Sequence, residues 1–493
     1  MMTSSRFFSG VAHLAGATLI LPGLAVAGFA SAELPTLQKI STDPYTNSSS
    51  QHQTEVEPDS FAFGTTMVAA FQVGRFVGGG ASNVGFSTTR DGGATWTSGF
   101  MPGITTFAGG NADRVSDAAV AYDAAHNVWM VSSLPIYDSG SSEGAGVILN
   151  RSTDGGLTFT NPVPITSMSD VDKNWTACDN HPASAFYGHC YTEWDDGNNS
   201  IFMSTSTDGG LSWSPARQPA DKTSGLGGQP VIQPNGTVVV PIASGSMDRV
   251  LSFSSNDGGV SWSKTVTVSN INNHNNSGGM RTPPLPSAQV DAAGTIYVTW
   301  SDCRFESGCS ANDIVMSTSV DGTKWSQVGR IPTVSKDSNV DQFVPGLGVD
   351  LSTSGNTAHL ALTYYYYPKA DCTSMTCELN VGFISSVDGG SHWSQSVQLA
   401  GGMKISWIPN TSQGEMVGDY IATSFMNGTA HPVFAVAYAP ATSGTFDQAM
   451  YAPTGGLEIT AGSGDFPLEF EPKRPGGFTT IKQGLTQRGM TLR

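Results

Sequence analysis

Short apolar runs recur along the chain, each closed by a polar turn and answered by a second apolar run. They occupy residues 61–74, 117–134, 181–194, 229–243, 285–300, 344–365 and 418–438. Within each run apolar residues alternate with polar ones or form blocks of four to eight, the pattern of strands rather than helices. The seven units repeat at about 60 residues, which predicts an all-β chain built from one repeated module. That spacing exceeds the needs of four short strands, so long loops are expected on one face.

Between the units lies a second repeat, Thr89-Arg90-Asp91-Gly92-Gly93-Ala94-Thr95-Trp96 and five further copies. The copies centre on Asp154, Asp208, Asp257, Asp321 and Asp388, each Asp preceded by Ser/Thr-x and followed by Gly and then Trp or Phe. Each reads as a tight hairpin turn. The carboxylate accepts turn amide hydrogens, glycine supplies backbone angles closed to other residues, and the aromatic packs beneath. The fifth copy is one residue short, and the sixth carries His392 where Thr or Ser is usual, so both turns are expected to be distorted. The octet resembles the Asp-box of the sialidase-like β-propellers (BNR repeats), where it joins the third and fourth strands of a blade. The resemblance covers roughly residues 50 to 440 and implies four-stranded antiparallel blades. Seven blades match the seven units, and six, as in sialidases, is the alternative. A ring must close to pair its edge strands, and residues 37–41 are the candidate closing strand.

The ends read differently. Residues 1–32 combine Arg6, an apolar run and Ala30-Ser31-Ala32, the pattern of a secretory signal with its cleavage site. The propeller is assigned to residues 33–455, and over 456–493 the pattern fades into a tail without assignment. A formal net charge of −17 argues against nucleic acid or an anionic membrane surface as partner. Six cysteines fall into close pairs, Cys178 with Cys190, Cys303 with Cys309, and Cys372 with Cys377. In an exported chain these read as three local disulfides, although six cysteines allow 15 pairings. No cofactor or metal is expected, since zinc spacing is absent. Asp195-Asp196-Gly197-Asn198-Asn199 has oxygen ligands for Ca²⁺ without the EF-hand spacing, and a turn is the alternative. Gly140-Ser141-Ser142-Glu143-Gly144 matches a nucleophile elbow formally, but no helical pattern follows it.

If the boxes share one rim, the loops entering the first strand of each unit and leaving the second gather on the other. Those loops carry Arg75, Arg114, Arg281 and Arg304 as candidate substrate-binding residues, together with Glu57, Asp117, Glu193, Asp419 and Tyr364 to Tyr367. Arginine forks bind carboxylates bidentately. The resemblance implies arginines holding an acidic sugar, a Tyr nucleophile with its Glu partner, and an Asp acid/base. On that basis Asp117, Glu193 and Tyr365 are the candidate catalytic residues. The one Arg-Ile-Pro, Arg330-Ile331-Pro332, follows the fifth box rather than preceding the first. The expected function is that of a secreted, monomeric exo-glycosidase of sialidase type acting on acidic glycans. A carbohydrate-binding propeller without catalysis and an adhesion scaffold are the alternatives. Convergence of carboxylates and arginines in one central pocket separates the enzyme from the lectin.

Overall fold

The computed structural model describes residues 34–138, 144–442, 445–460 and 466–471. The expected leader, residues 139–143 of the Gly140 loop and most of the tail lie outside the described residues. Every ladder between strands is antiparallel, and the described helices are three-residue 3-10 turns. No described helix is long and apolar enough to cross a membrane.

The first repeat is a meander of Gln51–Phe63, Thr66–Arg75, Ala81–Thr89 and Thr97–Phe100. The second runs Arg114–Asp123, Val128–Ile136, Val147–Ser152 and Val163–Thr166, and the two join through the single pair Ala81 and Val115 into an eight-stranded sheet. Val171–Cys178, Cys190–Asp196 and Ile201–Ser206 make a three-stranded sheet. A five-stranded sheet follows, in which Gly225–Leu226 and Val231–Ile232 both pair with Val238–Ser244, then Arg249–Ser255 and Val266–Asn270. The next holds Ser287–Val290, Ile296–Asp302, Asp313–Ser319 and Gly329–Arg330, extended by Glu469–Phe470 from the tail. Gln342–Val349, Leu360–Tyr366, Glu378–Ser386 and Val397–Lys404 form the four-stranded sheet. In the last, Ala422–Met426, Thr429–Ala437 and Gln448–Pro453 are completed by the N-terminal Leu37–Lys39, the expected closing strand.

The all-β propeller is thus present, but neither seven nor six four-stranded blades describe it. Among the described residues only one sheet has four strands; the others have two, three, five or eight. The causes are local. One bridge fuses the first two meanders, the third repeat's outer edge is reduced to the isolated pair Met203 and Arg217, and the tail adds a strand elsewhere.

The boxes tie each repeat to the one before it. A Cβ on Gly210 would lie 2.5 Å from Leu149 of the preceding repeat, and one on Gly156 2.5 Å from Val68, so only glycine lets the turns approach this closely. Arg151 Nε donates to Gly209 O at 2.6 Å and Ser252 Oγ to Gly322 O at 2.9 Å across the same seams. Gly93 of the first box meets His431 of the last repeat, which closes the circle. Inside each box the Asp behaves as predicted. Asp208 Oδ1 accepts from Ser206 Oγ, Leu211 N and Ser212 N, and Oδ2 accepts from Ser212 Oγ at 2.5 Å. The fifth and sixth boxes keep this bonding. Asp321 holds Thr323 N and Lys324 N at 2.8 Å each, and His392 Nδ1 lies 2.7 Å from Asp388 Oδ2, where a hydroxyl sits in the other boxes. The expected distortion is corrected: one fewer residue still leaves two amides in reach, and an imidazole N–H spans the same gap.

All three disulfides pair as expected, Cys178–Cys190, Cys303–Cys309 and Cys372–Cys377. Arg330 of the Arg-Ile-Pro is fully buried, with Nε 2.7 Å from Asp313 Oδ1 and a second contact, 3.3 Å, to Glu469 of the tail. It clasps the tail to the ring.

Candidate functional site

The innermost strands share a defect that aims side chains at the axis. Each of four carries a bulge containing a non-glycine residue in the left-handed region: Glu57 (φ 56°), Asp117 (φ 51°), Lys173 (φ 51°) and Val344 (φ 52°). The register shifts fall at Val56/Asp59, Ser116/Ala119, Asp172/Trp175 and Phe343/Gly346. A bulge re-aims one side chain, and each such conformation costs on the order of 1–3 kcal/mol, so its recurrence around one axis needs a compensating role. In the last repeat Gly418 serves instead. A Cβ there would lie 3.2 Å from the Glu57 backbone, and its glycine lets Asp419 swing inward.

Of these, Glu57, Asp117 and Lys173 meet in one pocket of about 90 Å³, lined also by Arg75, Asp172 and Arg281 and overhung by Val77–Gly80 and Thr411–Gln413. Asp419 is its electrostatic hub. Arg281 grips it bidentately, Nε to Oδ1 at 2.7 Å and Nη2 to Oδ2, while Lys173 Nζ lies 2.8 Å from Oδ2. Lys173 Nζ also stands 3.8 Å from both Asp117 Oδ2 and Asp172 Oδ1. Glu57 Oε1 accepts from Asp419 N at 3.2 Å and Oε2 from Gln72 Nε2, whose amide also reaches Ser116.

The carboxyls are driven apart in acidity. Burial, with Asp117 and Asp419 nearby, pushes Glu57 up to about 8, so it holds a proton at neutral pH. Burial also opposes charge on Asp117 and Asp419, but Lys173, the Asp172 hydrogen bond and Arg281 together outweigh it for Asp117, and Arg281 with Lys173 for Asp419. Both are held below the usual range and stay ionised. Such a split is how one site supplies both an acid and a base. Beneath the pocket Tyr420 donates to Ala118 O at 3.3 Å and packs edge-to-face on Trp175 at 5.0 Å. Burial and the Glu57 and Asp117 charges raise its phenol well above the ordinary value.

Of the sequence candidates, Asp117, Arg75 and Arg281 line this pocket. Arg75 is 2 % exposed, its Nη1 bonds Gly80 O at 2.6 Å, and its buried Nε has no partner among the described residues. The remaining candidates stand elsewhere. Arg114 bonds Gly79 O and Asp138 and lies over the Phe76 ring, bracing the 76–80 loop. Arg304 forks onto Asp302, at 2.9 and 2.7 Å, and bonds Asn270 O. Tyr365 is fully buried between two repeats, its hydroxyl donating to Ala435 O at 2.9 Å and accepting from Ala435 N, far from any open surface. Strand alternation turned it the other way. Glu193 sits on a second strand, wholly buried and outside the pocket lining, and burial raises its carboxyl well above the ordinary value. Asp196 Oδ1 accepts from Asn198 N and Ser200 N, so the candidate Ca²⁺ loop is held as a turn. Lys173, Asp172 and Tyr420 were missed. The strand Val171–Cys178 sits outside the recurring apolar units, so its place as an innermost strand went unread.

Residues 180–405 match the model of the BNR repeat-like domain. No curated protein matches the sequence. Among solved structures, a polysaccharide lyase, an ulvan lyase bound to a GlcA(1-4)Rha3S unit, superposes with a TM-score of 0.50 at 11% identity, over 86% of this chain and 97% of its own. The NanB sialidase from Streptococcus pneumoniae gives 0.39 at 13% identity, over 86% and 71%. A Dyadobacter fermentans protein of unknown function gives 0.45 at 14%, over 72% and 100%.

Proposed function

We propose that this sialidase-like BNR-repeat β-propeller is a secreted glycan-processing enzyme that works at the Glu57–Asp117 pocket, as an exo-glycosidase on acidic sugars. The observation that carries the reading is the desolvated Glu57 facing ionised Asp117 across strained bulges that converge on one axis. Convergence in one pocket favours an enzyme over a repeat lectin, whose sites would be dispersed between blades. Glu57 donates its proton to the glycosidic oxygen as the C–O bond breaks, and Asp117, kept ionised by Lys173, stabilises the oxocarbenium-like centre or deprotonates the attacking water. The cationic wall of Arg75, Lys173 and Arg281, with the unpartnered Arg75 Nε, favours a sugar carboxylate as the anchoring group. Three local disulfides are consistent with an exported protein.

A volume of about 90 Å³ is well below the roughly 300–1,000 Å³ of ligand pockets, so a sugar enters as the overhanging loops part. They are tied by the Ser412 N to Val77 O bond, 3.0 Å, and by Gln51 Nε2 on Asn410. The test is sugar release from sialyl and uronic-acid glycosides by the wild type and Glu57→Gln. Turnover that disappears in the variant supports the reading. A product with a new ring double bond assigns a lyase instead, and saturable binding with unchanged glycan mass assigns a lectin.

A further inference from the structure

The axis opens at its other end into a second cavity that the acid pocket does not use. It has two lobes, of about 290 and 410 Å³, which share Ser60, Phe61, Phe63, Gln289 and Leu351 in their walls. Trp175 is common to the larger channel system, lining one lobe on this side and facing Tyr420 on the other, so the Trp175–Tyr420 pair divides the axis.

The two ends differ in chemistry. Where the acid pocket is lined with cations and carboxylates, no Lys or Arg lines either lobe among the described residues. The two carboxylates in its wall are committed to the backbone. Asp59 Oδ2 accepts from Val120 N at 2.6 Å, and Asp350 Oδ1 accepts from Ser352 N at 2.9 Å. An anionic ligand therefore finds no Lys or Arg counter-charge there, and the acids' hydrogen-bonding capacity is partly taken up by the backbone. Apolar rings are presented instead. Phe63 is 38 % exposed and leans on Tyr122, with ring centroids 4.6 Å apart and a tilt of 35°. Gln289, in the wall both lobes share, has a side-chain amide with no hydrogen bond to the described residues, so a donor and an acceptor point into the space unused. His181 Nε2, by contrast, is engaged with Ile232 O at 3.1 Å.

We propose that this cavity is a second, non-catalytic site for a neutral sugar. Ring faces for C–H stacking, one free amide for hydroxyls, absence of Lys and Arg, and lobes close to the size range of small-ligand pockets together fit a neutral mono- or disaccharide unit. A hydrocarbon ligand has no use for the Gln289 amide, and an acidic sugar belongs at the opposite end. The site stands on its own lining and does not depend on which reaction the acid pocket performs.

Titration calorimetry of the full chain with neutral mono- and disaccharides (galactose, rhamnose, lactose, cellobiose) tests it, with a fluorescent apolar dye as a parallel probe. Saturable binding of at least one neutral sugar is expected. Gln289→Ala and Phe63→Ala should each weaken it tenfold or more while thermal unfolding stays near wild type, Phe63 being partly exposed. Glu57→Gln should leave that affinity unchanged, which separates this site from the acid pocket. Three results overturn the proposal: no neutral sugar binds, binding is lost in Glu57→Gln rather than in the two cavity variants, or the dye binds and is displaced by no sugar.

Discussion

Replacing Glu57 by Gln is the sharpest perturbation of the site, because the amide is nearly isosteric with the protonated carboxyl. It keeps an acceptor for Asp419 N and a polar neighbour for Gln72, so the fold is expected to survive. What it removes is the transferable proton. General acid catalysis contributes about 10²–10⁴-fold, so kcat should fall by that factor, with KM changing little. The wild-type profile should hold activity below pH 8 and lose it as Glu57 ionises near 8, and that alkaline limb should be absent from the variant's residual rate. Stability gives an independent reading. In the folded wild type the carboxyl titrates near 8 rather than the ordinary 4.5, so between pH 4.5 and 8 the unfolded chain releases a proton the folded one retains. Wild-type stability therefore falls with rising pH across that window, by about 1.4 kcal/mol per unit at most from this group, and Glu57→Gln lacks the term. The variant should thus gain on the wild type from pH 4.5 to 8 and run parallel above it, measured by denaturant unfolding at stepped pH. Turnover within a few-fold of wild type, or a stability difference flat across the window, refutes the assignment of a buried protonated acid.

Arg281→Lys keeps charge but loses the fork on Asp419, so kcat/KM on an acidic glycoside should drop tenfold or more; Arg304→Lys, on its own loop, should leave turnover unchanged while losing the fork on buried Asp302 costs about 1–3 kcal/mol in unfolding. Tyr365→Phe should lower stability by about 1 kcal/mol through the lost Ala435 bonds without touching turnover, and loss of turnover in a stable variant would reinstate it as catalytic. Asp208→Ala removes the acceptor of four box hydrogen bonds and should destabilise by about 1–3 kcal/mol, while the folded fraction keeps its activity. Their hydrogen bonds hold Asp91, Asp154 and Asp321 near 2, below the ordinary 3.8, so the boxes stabilise fully above about pH 4 and weaken as pH falls toward 2, seen as a drop in Tm over that interval.

Legibility in the sequence tracked how local the physics was. A box is eight residues whose bonds are all internal, so Asp208 and its partners could be read without knowing any neighbour, and the disulfides close loops of similar size. Strand existence came through for the same reason. Sheet membership did not, because whether a strand gains a partner depends on residues far away, as with Glu469–Phe470 joining Gly329–Arg330. The arginines show both outcomes. Arg75 and Arg114 end strands while Arg281 and Arg304 lie on loops, yet of those two Arg281 finds Asp419 across the axis and Arg304 finds Asp302 two residues away. Residue type and loop setting are alike in the two cases, and the folded partner separates them.

The same reasoning explains why Lys173 was invisible although it is the second cation on the hub. In a regular strand Asp172 and Lys173 would point to opposite faces. The bulge between Asp172 and Trp175 breaks that alternation, and the left-handed Lys173 turns its ammonium toward Asp117 and Asp419. Nothing in the sequence marks the bulge, since Lys is a poor occupant of that conformation and no glycine stands there. The strain persists because releasing it would strand Asp419 and Asp117 without one of their cations in a buried site, a cost of several kcal/mol against the 1–3 of the bulge. Glu57 and Asp117 occupy corresponding bulges, so the ring selects these side chains through backbone irregularity rather than through a linear motif. The site is therefore a property of the closed ring, and its residues become a group only when the first and last repeats meet.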